Sequence, residues 1–284
     1  GDLLDKALEL CPPSDDPVDE DDTIHVAVIG KPNAGKSSIV NRILGEDRMI
    51  VSDIAGTTRD AIDSYVENEY GKFTFVDTAG IRRQSKVEDR IEKFSVLRAK
   101  AAVEKADVCL IMIDASEGIT EQDEKIAGLS HEAGKAAIIV VNKWDLVKKE
   151  QNTQAEFEKQ IRNQFPFLEY APVLFVSAKT SSKVDTIFEK IQLVAKAYDT
   201  HISTSLLNNV VQDAQLMNEA PDFNGGRLKI YFVNQANSCP PTFVLFVNKP
   251  KYAHFSYLRY IENRLRDSFN LDGTPIELVL RERV

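Results

Sequence analysis

The chain has 284 residues, 43% of them apolar and 28% charged, and a formal net charge of −9. That is enough chain for one large domain plus a smaller one with a substantial core, and the negative charge argues against broad, sequence-blind attraction to nucleic acid. No apolar run approaches the length of a membrane span, and nothing near the start resembles a secretory signal. Cys11, Cys109 and Cys239 show neither a disulfide framework nor a zinc spacing, which suits a reducing cytosol and a cytoplasmic protein.

The chain opens on Gly1 rather than Met, which reads as a fragment or a processed product. Gly1-Asp2-Leu3-Leu4-Asp5-Lys6-Ala7 resembles Val184-Asp185-Thr186-Ile187-Phe188-Glu189-Lys190 further on; a repeat and two unrelated amphipathic helices are equally good readings of these residues. Residues 1–23 are read as the end of a preceding domain and a linker: Cys11–Thr23 holds three prolines and the acidic run Asp15, Asp16, Asp19, Glu20, Asp21, Asp22, a composition that cannot bury a core. An acidic interaction tail is the alternative.

From 24 to 195 short apolar strands alternate with helical stretches. The strands expected are Ile24–Ile29, Lys72–Val76, Val108–Ile113, Ala136–Val141 and Val173–Val176, with helices such as Lys93–Lys105 and Gln122–Glu132 between them. Phe157, Ile161 and Phe165 fall four apart and mark one more helix. This order predicts an α/β fold: a mostly parallel sheet with helices on both faces. From 196 to 284 the pattern becomes a smaller α+β unit. It consists of a long helix through Met217, strands Leu228–Asn234 and Thr242–Asn248, helix Phe255–Ser268 and strand Pro275–Arg281. The charge shifts as well, with ten Lys/Arg against nine Asp/Glu from Lys196 onward.

The motifs that carry chemistry stand at the carboxyl ends of these strands, where open α/β sheets bind ligands. Gly30-Lys31-Pro32-Asn33-Ala34-Gly35-Lys36-Ser37 is a GxxxxGK[ST] phosphate loop (P-loop) between the first strand and helix Ser38–Leu44, which Gly45 closes. Its glycines let backbone N–H groups cradle phosphate oxygens at a helix N-terminus, Lys36 reaches the β- and γ-phosphates, and the Ser37 hydroxyl holds Mg²⁺. Asp77-Thr78-Ala79-Gly80 supplies a carboxylate for the Mg²⁺ shell and a Gly80 amide for the γ-phosphate. Asn142-Lys143-Trp144-Asp145 places Asp145 to accept the guanine N1–H and N2–H₂ pair, with Asn142 bracing the loop and Trp144 packing beside the base pocket. Ser177-Ala178-Lys179 offers a backbone N–H to guanine O6. Leaving such buried groups unpaired is how a site rejects the wrong base. The four histidines have no metal or nucleophile spacing, so neither covalent catalysis nor a metal beyond Mg²⁺ follows from these residues.

Together with Ser52-Asp53-Ile54-Ala55-Gly56-Thr57-Thr58-Arg59-Asp60, these motifs resemble the translation-factor-like GTPases of the Era/EngA/TrmE group. The resemblance implies that Thr58 joins Mg²⁺ when the γ-phosphate is present, with Arg59 and Asp60 framing that switch. Ile81 stands where many small GTPases carry a catalytic glutamine. Relatives with Asn at the position of Asn33 use K⁺, held by that Asn and by switch carbonyls around Ser52, Ile54 and Thr57. The catalytic set expected is therefore Asn33, Lys36, Thr58 and Gly80; an Asn33 that merely shapes the loop is the alternative. Arg82, Arg83 and Lys86 read as a solvated switch face.

The C-terminal pattern resembles the KH-like domain that ends EngA and Era proteins, although no GxxG loop precedes the last helix, where Asn248-Lys249-Pro250-Lys251-Tyr252-Ala253-His254 stands. Contact with rRNA through Lys249, Lys251, Arg259, Arg264 and Arg266, and a protein-facing role, both remain open. With EngA as template the resemblance covers nearly the whole chain: the tail of a first GTPase domain, the linker, a second GTPase domain and the KH-like domain. It implies GTP hydrolysis, GTP and GDP as ligands, the large ribosomal subunit as partner, and a monomer. An Era-like small-subunit RNA chaperone is the runner-up, followed by a nucleotide-gated binding module with negligible turnover; a TrmE-like tRNA-modification protein fits least.

Overall fold

The computed structural model describes residues 22–45, 50–55, 62–78, 92–148 and 150–283. The expectations for the opening helix and most of the linker, for Thr57–Asp60, and for Ala79–Lys86 fall outside the described residues.

Seven strands form one sheet: β1 (Thr23–Gly30), β2 (Ile50–Ala55), β3 (Ile62–Asn68), β4 (Gly71–Phe75), β5 (Val108–Asp114), β6 (Ala136–Asn142) and β7 (Val173–Phe175). Their order is β2-β3-β4-β1-β5-β6-β7. The five strands expected from sequence pair in parallel, and β2 and β3 add an antiparallel hairpin at the β4 edge. Parallel strands need helices on both faces, so both sides of each strand are buried. β5 shows the consequence: Val108, Leu110 and Met112 enter one core while Cys109, Ile111 and Ile113 enter the other. Helices α1 (Lys36–Leu44) and α5 (Thr186–Tyr198) cover the first core. Helices α2 (Glu92–Lys105), α3 (Glu121–Glu132) and α4 (Thr153–Gln164) cover the second.

The expected long helix through Met217 is two helices. Asp199 caps α5, and α6 (Thr204–Met217) begins after Ser203. No Gly or Pro breaks the chain here; the destination of the side chains does. Tyr198 packs in the sheet's first core, whereas Ile202 and Leu207 pack in a third core with Val233, Phe243 and Leu245. One straight helix cannot serve both.

That third core joins α6 and α7 (Phe255–Phe269) to a sheet of β10 (Ile230–Ser238), β11 (Pro241–Val247) and β12 (Glu277–Glu282). β10 and β11 are antiparallel, and β11 and β12 are parallel. A small hairpin, β8 (Asp222–Phe223) with β9 (Gly226–Arg227), precedes it.

The two units meet at the amino end of the large sheet, opposite the strand ends that carry the motifs. The Ala137 amide on β6 donates to Gly273 O at 2.8 Å, and Gly273 N–H donates to Tyr170 O at 2.9 Å. The Ser238 hydroxyl, at the end of β10, donates to Asp199 Oδ1 at the end of α5, at 3.2 Å. Arg266, bonded to Leu271 O and Thr274 O at 2.6 and 2.7 Å, lies 5.4 Å over the Tyr170 ring.

Phe188 of α5 is 2% exposed, with its ring 5.0 Å from Phe73 and 6.3 Å from Phe75. The Phe188→Ala variant should lose about 3–5 kcal/mol of stability through lost transfer energy and the cavity left behind. A urea melt with a lowered midpoint and an unchanged slope checks it.

Candidate functional site

The loop after β1 closes a cradle by positions that only certain residues tolerate. At Gly30 an added Cβ would lie 2.6 Å from Met112 O on β5, so the loop leaves the sheet in close backbone contact. Gly35 sits at φ 95°, in the left-handed region, and a Cβ there would be 2.0 Å from Asn142 Nδ2. Gly35 also precedes α1 as its N-cap, and no side chain caps that helix. The amino end of α1 is thus presented to the cradle, where it favours an anion.

Lys36 folds back across this loop, its ammonium donating to Gly30 O and Lys31 O, each at 2.7 Å. Burial pushes the Lys36 pKa down to about 8, with the charge of Asp123 opposing the shift. Ser37 and Ser38 lie on the first turn of α1, with Ser37 half-buried and Ser38 exposed. Pro32 and Asn33 are exposed at the loop's tip, where Asn33 adopts φ 63°.

Asp77 follows the end of β4 at φ 53°, and its N–H donates to Asp63 Oδ1 at 2.8 Å. The Thr78 and Ser64 hydroxyls share a buried hydrogen bond at 2.8 Å. Sequence reasoning missed Asp63 and Ser64, because Ile62–Asn68 shows neither a continuous apolar run nor a strict apolar–polar alternation that would mark a strand. Ser52 and Ile54 lie in β2, paired with Tyr65 and Asp63. Two strands separate β2 from β1, but β2 runs parallel to it, so both carboxyl ends lie on one edge of the sheet. Thr57, Thr58, Ala79 and Gly80 are outside the described residues.

At the other end of the site, Asn142 is 2% exposed and its amide ties two loops together. Nδ2 donates to Ala34 O and Oδ1 accepts from Ala178 N–H, both at 3.1 Å. Lys143, at φ 60°, reaches Asp114 Oδ2 at 2.5 Å. Burial works against the charge on Asp114, but Lys143 and Ser116 outweigh it and hold that carboxyl below the usual range. Asp145 Oδ1 accepts from the Ser177 hydroxyl at 2.6 Å, and the same hydroxyl accepts from Thr180 N–H at 3.2 Å. Ser177 N–H goes to Ser182 O and Ala178 N–H to Asn142, while Lys179 N–H, the next along, meets no acceptor among the described residues. Trp144 packs against Phe175 and Phe157 at 4.5 and 5.6 Å, under the loop rather than in the site.

These residues enclose a cavity of about 470 Å³. Gly35 and Ser38 form one end and Asn142, Lys143 and Asp145 the middle; Ala178 and Lys179 form the other end, with Arg42 and Leu146 at the rim. A larger open groove of about 610 Å³ runs along α3, but Glu121, Glu124 and Glu132 line it, a charge unsuited to phosphate.

Residues 25–143 match the family described as 50S ribosome-binding GTPase, and residues 201–281 match the KH-domain-like C-terminal module of EngA bacterial GTPase enzymes. The GTPase Der of Acetivibrio thermocellus is 55% identical over 283 residues, which cover 100% of this chain and 64% of that protein. The chain belongs to the EngA (Der) GTPase family. A second Der, from Geobacillus thermodenitrificans, is 52% identical over 283 residues, and the chain spans 65% of its length. Among solved structures, Era in complex with MgGDPNP and a segment of 16S ribosomal RNA gives a TM-score of 0.47 at 24% identity, covering 92% of this chain and 93% of Era. The chain therefore spans just under two-thirds of the length of the EngA-family relatives it matches.

A lysine whose folded pKa lies near 8 rather than at the ordinary 10.5 binds fewer protons when folded than when unfolded. Stability of the nucleotide-free protein should then rise as pH increases from about 8 towards 10.5. The rise attributable to Lys36 is on the order of 3 kcal/mol and should be missing from Lys36→Met. Parallel denaturant titrations of both proteins across that pH range test it.

Proposed function

We propose that this protein binds GTP, hydrolyses it to GDP and phosphate, and uses the nucleotide state to control association with the ribosome, in particular assembly of the large subunit. The observation that carries the reading is the Asn142 bridge: one buried amide holds the phosphate cradle at Ala34 and the Ala178 loop at fixed distance across a single cavity. That spacing suits a ligand with a polyphosphate at one end and a base at the other.

In this reading Lys36 gives up Gly30 O and Lys31 O for the β- and γ-phosphates, and the added negative charge returns its pKa upward. Backbone N–H groups of residues 33–38 surround the phosphates. Asp145, held through one oxygen by Ser177, accepts N1–H and N2–H₂ of guanine, and Lys179 N–H donates to O6. Lys143 packs beside the base, steadied by Asp114. Ser37, Asp77 and Thr58 present oxygens only, the donor set that Mg²⁺ prefers. Bound there, Mg²⁺ would supply positive charge to offset that of the phosphate oxygens. The exposed amide of Asn33, with backbone oxygens of Ser52, Ile54 and Thr57, would be the corresponding set for K⁺. Catalysis is positioning and electrostatics, with no covalent intermediate.

A ribosomal partner fits the far end of the KH-like domain. Lys229 and Arg283 flank the Tyr231 ring at 5.4 and 5.2 Å, and Lys249 and Lys251 approach the Tyr252 ring at 6.0 and 5.3 Å. A near-neutral domain thus collects cations and aromatic faces at the end opposite the seam, a composition suited to phosphates and stacked bases. No described helix is long and apolar enough to cross a membrane.

Asp145→Asn replaces two acceptors with one donor and one acceptor, matching xanthine, which has a carbonyl where guanine has an amine. GTP affinity should fall at least about a hundredfold, with XTP binding gained; competition of labelled GDP by both nucleotides reads this out. Phosphate release by the parent should be faster in potassium than in sodium at matched ionic strength, and Asn33→Ala should abolish the difference. Equal rates in the two salts would remove the potassium site. Sedimentation with separate ribosomal subunits should place the protein on the large one with a non-hydrolysable GTP analogue and not with GDP. Binding to the small subunit would favour the Era-like reading instead.

A further inference from the structure

Lys31 is part of the phosphate loop, yet its side chain turns away from the cradle and is buried, 6% exposed. Its ammonium lies 2.9 Å from Glu117 Oε2 and 3.3 Å from Asp123 Oδ2. Asp123, 1% exposed, closes the capping box at the start of α3: its Oδ2 accepts from Thr120 N–H at 2.9 Å and from the Thr120 hydroxyl at 2.7 Å, while its own N–H donates back to the Thr120 hydroxyl. Its other oxygen, Oδ1, is buried without a hydrogen-bond partner among the described residues. Three elements therefore converge on one cation: the phosphate loop, the β5–α3 connection through Glu117, and the first turn of α3.

Burying an ammonium is costly unless its charge is compensated, and a buried carboxylate left unpaired costs as much. Backbone N–H groups make the cradle, and its neighbours Pro32 and Asn33 are exposed. A long buried cation at Lys31 therefore has a different task. The backbone of Lys31 shows which: its carbonyl accepts from the Lys36 ammonium at 2.7 Å and from Ala34 N–H at 3.3 Å. One of the two carbonyls that hold the phosphate-binding lysine thus belongs to the residue anchored to α3.

We propose that Lys31 is a positioning residue: its ion pair with Asp123 and Glu117 fixes the first turn of the phosphate loop against α3, so the cradle keeps its curvature when Lys36 moves from Lys31 O to phosphate. Lys31 acts through the loop's backbone; its ammonium does not touch the nucleotide. The inference rests on the reading of this cavity as a guanine-nucleotide site, and the test separates the two.

The experiment compares parent, Lys31→Met, Lys31→Arg and Asp123→Asn, with Glu117→Gln as a fifth protein because Glu117 is 57% exposed and tolerates change without unfolding. Fluorescent GDP titrations, steady-state GTP hydrolysis and amide hydrogen exchange of residues 30–36 without nucleotide are the three readouts. Lys31→Met should weaken GDP binding and raise KM by about ten- to a hundredfold, with kcat within about threefold. Lys31→Arg should restore both to within about threefold of the parent, Asp123→Asn should follow the Met variant, and Glu117→Gln should weaken binding by about twofold to fivefold. Loop amides should exchange faster in the Met variant. Unchanged binding and exchange in Lys31→Met, or in Glu117→Gln where the Met variant does not fold, overturns the proposal. So does an Arg variant as impaired as the Met variant. If the parent itself binds no GDP, the nucleotide reading falls, and hydrogen exchange alone still decides whether the clamp orders the loop.

Discussion

Asn142 sits at the end of β6 with no room to move, and its amide has a fixed polarity: a donor on one side and an acceptor on the other. The donor finds Ala34 O and the acceptor finds Ala178 N–H, each at 3.1 Å. Those partners lie 108 and 36 residues away along the chain. Because the side chain is buried, losing either bond would leave a backbone group unpaired in a low-dielectric setting, which penalises any drift of the two loops. The bareness of Gly35 follows from the same contact, since a side chain there would occupy the space of the Asn142 amide. Cradle, bridge and base-side loop are one mechanical unit.

The sheet beneath supplies the rigidity that this unit needs. Strands β1, β5 and β6 are buried on both faces, with alternate residues committed to two separate cores. A close-packed interior of that kind deforms little. The strand ends are therefore fixed points, and the loops that leave them inherit that precision. Charge is handled in the same spirit. Lys31 and Lys143 are each paired with a carboxylate that is 1% exposed, while Lys36 alone is left to backbone carbonyls. Of these three lysines Lys36 is the one whose described partners are backbone carbonyls, which it can exchange for phosphate, and burial lowers its pKa.

The KH-like domain attaches at the opposite end of the same strands. Backbone bonds from Ala137 and Gly273, and the Arg266 contact with Tyr170, occupy the part of the β6 edge that lies below β7. Nucleotide chemistry and the cationic, aromatic end of the small domain thus sit at the two extremes of the molecule, joined through packed elements. Any influence of one on the other must pass through those packed elements.

The sequence by itself determined the five parallel strands, because residues buried on both faces give apolar runs in four of them and Lys72-Phe73-Thr74-Phe75 alternates in the fifth, patterns that need no partner to be read. It also determined the identity of the loops, since GxxxxGKS, Asn142–Asp145 and Ser177–Lys179 are local patterns whose chemistry depends on a few neighbouring residues. Tertiary structure alone decided the rest. The β2–β3 hairpin escaped because Ile62-Asp63-Ser64-Tyr65-Val66-Glu67-Asn68 carries neither a continuous apolar run nor a strict apolar–polar alternation. The break between α5 and α6 escaped because helical periodicity runs through Asp199–Ser203, and only the existence of two different cores forces the turn. The placement of Lys31 beside Asp123, and of Asp77 beside Asp63, joins residues 92 and 14 apart in sequence. No local pattern encodes such pairs; they arise when the sheet order brings distant strand ends to one edge.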